Sequence, residues 1–325
     1  MRTTLPVKGA FVLLLSLFFS ASVRSQSITT GNGKVEAGFG AGPLFFLGDL
    51  GGNAGVGTRF LKDLNMPTIN LMKTAFIQVY PAEFLGVRLA INQGKLEGYD
   101  RLINDHGGNE HFRKDRNLQF RSNVWEAYLA FEVSPSVFIE QYEGLKGKFR
   151  PYVIGGVGAF RFNPKGEYIA PDGTKTWVPL QPLRLEGQGM KEFGKKEYKL
   201  TQLEIPVGAG FKYFLKENFF VGMELLYRKT FTDYIDDVST NYIDPSLFAN
   251  YLTPTQTAMA NQLYNRENLV PGGTLTRISG AGDQRGNAKQ NDAFFATTLR
   301  MGWRLQDWNS AGGRSMRQMR CPSFF

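Results

Sequence analysis

Few side chains in this protein are of the kinds that do acid–base, nucleophilic or metal chemistry. His106 and His111 are the only histidines, and both lie in one short stretch, His106-Gly-Gly-Asn-Glu110-His111. With Glu110 they could chelate a cation, but the spacing fits neither a helical metal pair nor a zinc finger. Asp233, Asp236 and Asp237 form a second cluster. A Ca²⁺ loop would need EF-hand spacing and its glycine, both missing, so the expected role is a solvated loop base. The Gly-rich pieces GVGAF (156–160) and GAGF (208–211) have no following helix to make a dinucleotide site. A serine elbow, a P-loop and an H-E-x-x-H motif are all absent. Cys321 is the sole cysteine, so no intramolecular disulfide can form. These residue types predict a non-enzymatic protein with no catalytic, cofactor or metal site.

A more orderly set of charges recurs at a spacing of two. In FFVGMELLYRKT (219–230), Phe219, Val221, Met223, Leu225 and Tyr227 alternate with Phe220, Gly222, Glu224, Leu226 and Arg228. Successive side chains of a strand point to opposite faces, so one face is apolar and the other carries charge. Arg88, Glu126, Glu132, Glu204, Lys212, Arg300 and Arg304 sit on the same minority face of other alternating segments. In a soluble sheet the apolar face would cover a core. In an outer-membrane barrel it meets lipid and the charged face looks into the lumen.

The elements that must position these residues decide between the two. Eight segments read as strands: 34–47, 69–80, 84–96, 118–133, 149–162, 200–215, 219–230 and 293–305. Pro206 falls inside the sixth and predicts a local bulge. The links alternate in length. Those at 81–83, 134–148 and 216–218 are short, and those at 48–68, 97–117, 163–199 and 231–292 are long. Short periplasmic turns and long extracellular loops belong to outer-membrane barrels, and a soluble sandwich has no reason to sort its loops by parity. The predicted fold is an all-β, eight-stranded antiparallel transmembrane β-barrel with long extracellular loops. Eight strands leave room for side chains only. The nine charges are therefore expected to pair as a network that fills the lumen, because an unpaired buried charge costs several kcal/mol.

Composition agrees. The chain has 37 Gly, 27 Phe, 13 Tyr and 4 Trp, a bias that suits a barrel with aromatic girdles. Arg2 and Lys8 precede the apolar run 11–19, and Val23-Arg24-Ser25 leads to Gln26, so residues 1–25 read as a cleaved signal peptide. That segment holds three cations and no acid, and its removal lowers the formal charge from +9 to +6. The remaining charges are scattered, so no nucleic-acid partner is expected. Residues 26–305 form the predicted barrel. Residues 306–325 form a polar periplasmic tail with Arg314, Arg317 and Arg320. The segment 163–199, with Trp177 and several prolines, reads as an ordered non-helical loop that could pack over the barrel mouth or meet a partner.

Four phrases carry a resemblance to a known family. FFVGMELLYRKTFTDYIDDVST (219–240), FLGDLGG (46–52), FNPKGEY (162–168) and LRLEGQGM…YKLTQLEIPVGAGFKY (183–213) together resemble a family of Bacteroidota outer-membrane β-barrels. Its members include the PorG-type barrels of the type IX secretion system. The resemblance implies residence among outer-membrane lipids and association with a periplasmic ring of secretion lipoproteins, and it implies no catalytic residues. The chain departs from the usual pattern in that its last strand is followed by a tail. The leading expectation is a structural subunit of a type IX secretion or gliding apparatus. The alternative is a stand-alone surface barrel whose extracellular loops bind a ligand or surface.

Overall fold

Two-faced strands bury one row of side chains only if the sheet has an inside, and closure of the sheet supplies it. The computed structural model describes residues 34–51, 68–82, 84–103, 110–138, 148–216, 218–270 and 278–305. The segment 1–25 expected to be a signal peptide, the tail with Cys321, and His106 lie outside the described residues. β1 (Lys34–Leu47) pairs with β2 (Asn70–Ala82), β2 with β3 (Leu85–Tyr99), and β3 with β4 (Gln119–Val133). β4 pairs with β5 (Phe149–Arg161), β5 with β8 (Thr201–Lys216), β8 with β9 (Phe219–Thr230), and β9 with β10 (Ala293–Leu305). β10 returns to β1 and closes the barrel, with every neighbour antiparallel.

The alternation read from the sequence is the alternation of burial. Along β9, Phe220, Glu224, Leu226 and Arg228 are buried, while Met223 and Leu225 are exposed. Around the wall, Leu89, Ile91, Leu129, Phe131, Val157, Leu203 and Leu299 are all about half exposed or more. A monomer in water does not keep an apolar belt of that extent uncovered, so the belt faces lipid. Aromatic residues mark both edges of the belt. Phe39, Trp303 and Phe219 cluster at the periplasmic end, with ring centroids 5.7 and 5.3 Å apart. Phe45 and Phe295 stack at 4.6 Å near the extracellular end.

Strand ends differ from the sequence reading by three residues at most, except in the long third loop. That loop has no α-helix, as expected, but it carries a single 3-10 turn (Gln181–Leu183) and two strands. β6 (Pro164–Ile169) and β7 (Lys175–Pro179) make a hairpin attached to the outer end of β4. The fourth loop carries a short helix, α2 (Phe248–Tyr251), and a longer one, α3 (Pro254–Leu263), after α1 (Glu110–Arg116) in the second loop. α3 starts at Thr253, whose hydroxyl caps Gln256 while the Gln256 side chain reaches back, with Pro254 at the first turn.

No bulge forms at Pro206. The β8–β9 register runs unbroken from Glu204↔Thr230 to Phe214↔Phe220. On the other side, the β5–β8 ladder passes from Gly155↔Val207 to Gly158↔Glu204 with two rungs absent and the register kept. A proline has no N–H to give, and here the sheet drops rungs instead of adding a residue.

Candidate functional site

The lumen is filled from the periplasmic side upward in three layers. The lowest is the charge network. Arg88, Glu126, Glu132, Glu204, Lys212, Glu224, Arg228 and Arg300 are buried on the inner wall, and Arg304 is partly exposed near the periplasmic end. Arg88 donates to Glu132 and to Glu224. Glu224 also accepts from Arg300 at 2.6 Å and from the Tyr152 hydroxyl at 2.7 Å. Lys212 Nζ donates to Glu132 at 2.6 Å and to Glu36 at 3.0 Å, and Arg304 donates to the other Glu36 oxygen at 3.0 Å. Six of the nine thus form one connected cluster, together with Glu36.

Glu36 escaped the sequence reading. Gly38, Gly40 and Gly42 occupy the inward positions after it, so the face shows no charge pattern. A second group stands apart. Arg228 pairs with Glu126 at 3.3 Å. Glu204 lies within side-chain hydrogen-bonding reach of Glu126, and no cation donates to either of its oxygens. The expectation that every lumen charge would pair therefore fails at Glu204: one guanidinium serves two carboxylates. Gly158 leaves the room that makes this possible, since a Cβ there would lie 2.9 Å from Glu204 Oε1.

An aromatic layer comes next. Phe294 meets Phe160 edge-on at 5.6 Å, Phe160 stacks on Phe162 at 5.5 Å, Phe162 on Tyr198 at 6.1 Å, and Tyr198 on Tyr234 at 4.8 Å. The stack leads out of the lumen into the loops.

The third layer is a cap built from all four extracellular loops. Arg116, at the end of α1, holds Asp100 with Nε at 2.8 Å and Nη2 at 3.0 Å, and donates to the carbonyls of Asp49 and Arg285. Arg285 donates to Glu186 at 2.8 Å and to the Asp237 carbonyl. Glu186 takes the backbone N–H groups of Ser239 and Thr240, both at 2.9 Å. Asp236 takes the Leu50 and Val238 N–H groups, each at 3.0 Å. The Tyr198 hydroxyl donates to Asp237 at 2.6 Å.

This corrects the solvated loop base expected at Asp233, Asp236 and Asp237. All three are buried. Local polarity predicted exposure, but loops distant in sequence fold over the segment, bind Asp236 and one oxygen of Asp237, and leave Asp233 Oδ2 and Asp237 Oδ2 without a hydrogen-bond partner. Burial pushes the carboxyls of Asp236 and Asp292 well above the usual carboxylate range, and the charges of Asp49 and Asp233 push the same way. Burial raises Asp237 to about 7 against the pull of Arg285, and Asp233 to about 8. Among the described residues no group of three or more His, Cys, Asp or Glu side chains has the geometry to hold a metal ion. His111 pairs with Asp115 at 3.1 Å on the exposed face of α1.

Position explains which cap residues the sequence left unread. Asp49, Glu186 and the 233–237 acids lie within the phrases FLGDLGG, LRLEGQGM and FTDYIDD, and the structure brings those phrases together at the mouth. Asp100, Arg116, Arg285 and Asp292 have no such signal.

A closed sheet with a polar, charge-filled interior and an apolar exterior defines an outer-membrane-type β-barrel of eight strands. No protein-family model matches the chain, and no curated protein matches it. Solved structures with a similar architecture include three outer-membrane proteins. Ail, the attachment invasion locus protein of Yersinia pestis, is 8% identical over 84% of this chain and 99% of its own, with a TM-score of 0.36. OprG from Pseudomonas aeruginosa is 12% identical over 85% and 97%, with a TM-score of 0.38. A major outer membrane protein from Thermus thermophilus is 13% identical over 84% and 99%, with a TM-score of 0.33. Overlaps this loose carry no argument about function, and the barrel rests on its own strand pairings.

Proposed function

We propose that the protein is a non-enzymatic, integral outer-membrane barrel that serves as a structural subunit of a type IX secretion or gliding apparatus. The observation that supports a structural role is the filled lumen. Among the described residues, the Arg88–Glu224–Arg300 and Lys212–Glu132–Glu36 ion pairs and the aromatic stack above them occupy the lumen beneath the cap. A barrel packed in this way acts through its surfaces. The phrases at 46–52, 162–168, 183–213 and 219–240 supply the link to secretion, through their resemblance to PorG-type barrels. Periplasmic lipoproteins of a secretion ring are the proposed partners, and outer-membrane lipids the solvent.

The test is affinity capture of the tagged barrel from the native membrane in mild detergent. Recovery of periplasmic ring lipoproteins, with loss of cargo export in a deletion strain, supports the reading. Capture of the barrel alone, with export unchanged, refutes it. A second reading, a surface barrel whose loops bind a ligand or a host surface, is favoured by the cap itself. Four loops tied into one ordered platform hold an external face in fixed shape. Replacing the rim of the cap would then abolish surface binding and leave secretion intact.

A further inference from the structure

On the outer wall, at the extracellular end of β4, a cleft of about 330 Å³ opens where β5 gives way to β6. The two strands share one register against β4: Trp125 faces Arg161, and Arg121 faces Lys165. β6 therefore continues β5 past a two-residue interruption, Phe162–Asn163. At that interruption Phe162 N–H turns to Leu200 and Asn163 N–H to the Ser122 hydroxyl, so the wall is notched. Arg121, Arg161 and Lys165 line the notch, with Trp125 below and Trp177 of β7 above. Arg121 lies over the Trp177 ring at 3.9 Å and is tied to Glu97 at 2.8 Å. Arg161 and Lys165 have no ion-pair partner among the described residues.

The position of the cleft defines what can reach it. Trp125 is 58% exposed on the same outward row as Leu129 and Phe131, so the cleft continues the lipid-facing wall. Arg121 stands four residues further along the strand, about 10 Å higher once strand tilt is allowed for. Arg121 and its partner Lys165 thus sit at headgroup height, and Arg161, level with Trp125, stands at the upper edge of the apolar belt. An indole at the edge of the belt holds apolar and polar material together. Guanidinium groups bind phosphate through paired N–H donors, and basic pockets at this depth bind anionic headgroups. Asn123 and Asn163 add amides of the kind that bind sugar hydroxyls.

We infer that this cleft is a binding site for the phosphorylated sugar headgroup of an acylated glycolipid in the outer leaflet. Phosphate meets Arg161 and Lys165, the sugar lies against Trp125 and Trp177, and the acyl chains run down the wall over Leu129 and Phe131. Arg121, braced by Glu97 and Trp177, is held ready rather than recruited. The site depends on the barrel orientation and not on any role in secretion.

The full-length barrel in phosphatidylcholine nanodiscs, with and without bisphosphorylated lipid A, provides the test, read by native mass spectrometry. The wild type should retain lipid A, and R161Q/K165Q should bind it about tenfold more weakly, as expected for the loss of charge-assisted contacts. Monophosphoryl or dephosphorylated lipid A should bind the wild type correspondingly less. Equal retention of the phosphorylated and dephosphorylated lipids, or retention unchanged in the double variant, would overturn the site. So would competition by millimolar inorganic phosphate that matches lipid A, since the source would then be a soluble anion. If the double variant loses heat-modifiable migration, the comparison of lipids on the wild type still decides.

Discussion

Arg116 grips both carboxylate oxygens of Asp100, at 2.8 and 3.0 Å, while its remaining donors reach the carbonyls of Asp49 and Arg285. One guanidinium thus joins the first, second and fourth extracellular loops. Replacing it by Met leaves Asp100 buried and without its cation, at a cost of about 3–5 kcal/mol. Arg116→Met should make the loops sensitive to protease at the cell surface while the barrel keeps its heat-modifiable migration. Arg116→Lys should rescue little, because an ammonium cannot reproduce the fork. Loops as resistant as the wild type's would contradict the assignment.

Asp237 gives the cap a pH dependence with a definite sign. Its carboxyl is raised to about 7 in the folded state, against about 4 in an unfolded chain. Between those values the folded cap holds the extra proton, so its stability is full at low pH and falls as pH rises through 7. Hydrogen exchange of the 234–240 amides, corrected for intrinsic rates, should quicken between about pH 4 and pH 7 more than chemistry alone dictates. Asp237→Asn should flatten that slope in part, since Asp233 and Asp236 titrate in the same direction. A cap that tightens with rising pH would rule the reading out.

Two buried glutamates on the inner wall should respond oppositely to the same change. Glu224 receives Arg88, Arg300 and Tyr152, and Glu224→Gln leaves Arg300 without a carboxylate and Arg88 with Glu132 alone, costing about 3–5 kcal/mol. Glu204 has only a neighbouring carboxyl group, Glu126, as its side-chain partner and no cation of its own, and Glu204→Gln keeps a donor toward Glu126 while removing one acid from the pair, so stability should hold or rise. The temperature of the heat-modifiable gel shift separates the two. A loss at Glu204 as large as at Glu224 would show that a cation holds Glu204.

The lipid-facing belt makes a prediction about depth. Leu299 is 69% exposed midway along β10. Leu299→Arg should destabilise the barrel in vesicles by about 2–4 kcal/mol, whereas Lys229→Arg at the rim of β9 should change it by less than about 1 kcal/mol. Equal effects measured by urea titration in lipid would place the belt elsewhere.

The wall was legible in the sequence because a strand's periodicity is local. Met223, Glu224, Leu225 and Leu226 announce their faces without knowing their neighbours. Glu36 was not legible, because glycines beside it erase the contrast between faces. The hairpin β6–β7 was hidden too: its pairing continues β5 along β4, a relation that depends on register and not on composition. The cap was the least legible part. Whether Asp236 is solvated or buried is set by Leu50, Asp49 and Asp292, residues that a local window cannot bring together.

The ties of the cap also bear on the order of assembly. Asn287 N–H reaches Asp49 across 238 residues, and Leu50 N–H reaches Asp236 across 186. Arg285, Asn287 and Asp292 stand just ahead of β10, the strand that closes the barrel onto β1. Asn287 reaches Asp49, just past β1, only once that seam is zipped, and contacts of such separation form late. The external face therefore reports on an event inside the bilayer: a barrel stalled with an open seam presents four loose loops, and a finished one presents a single platform. Any partner that recognises the platform admits only completed barrels.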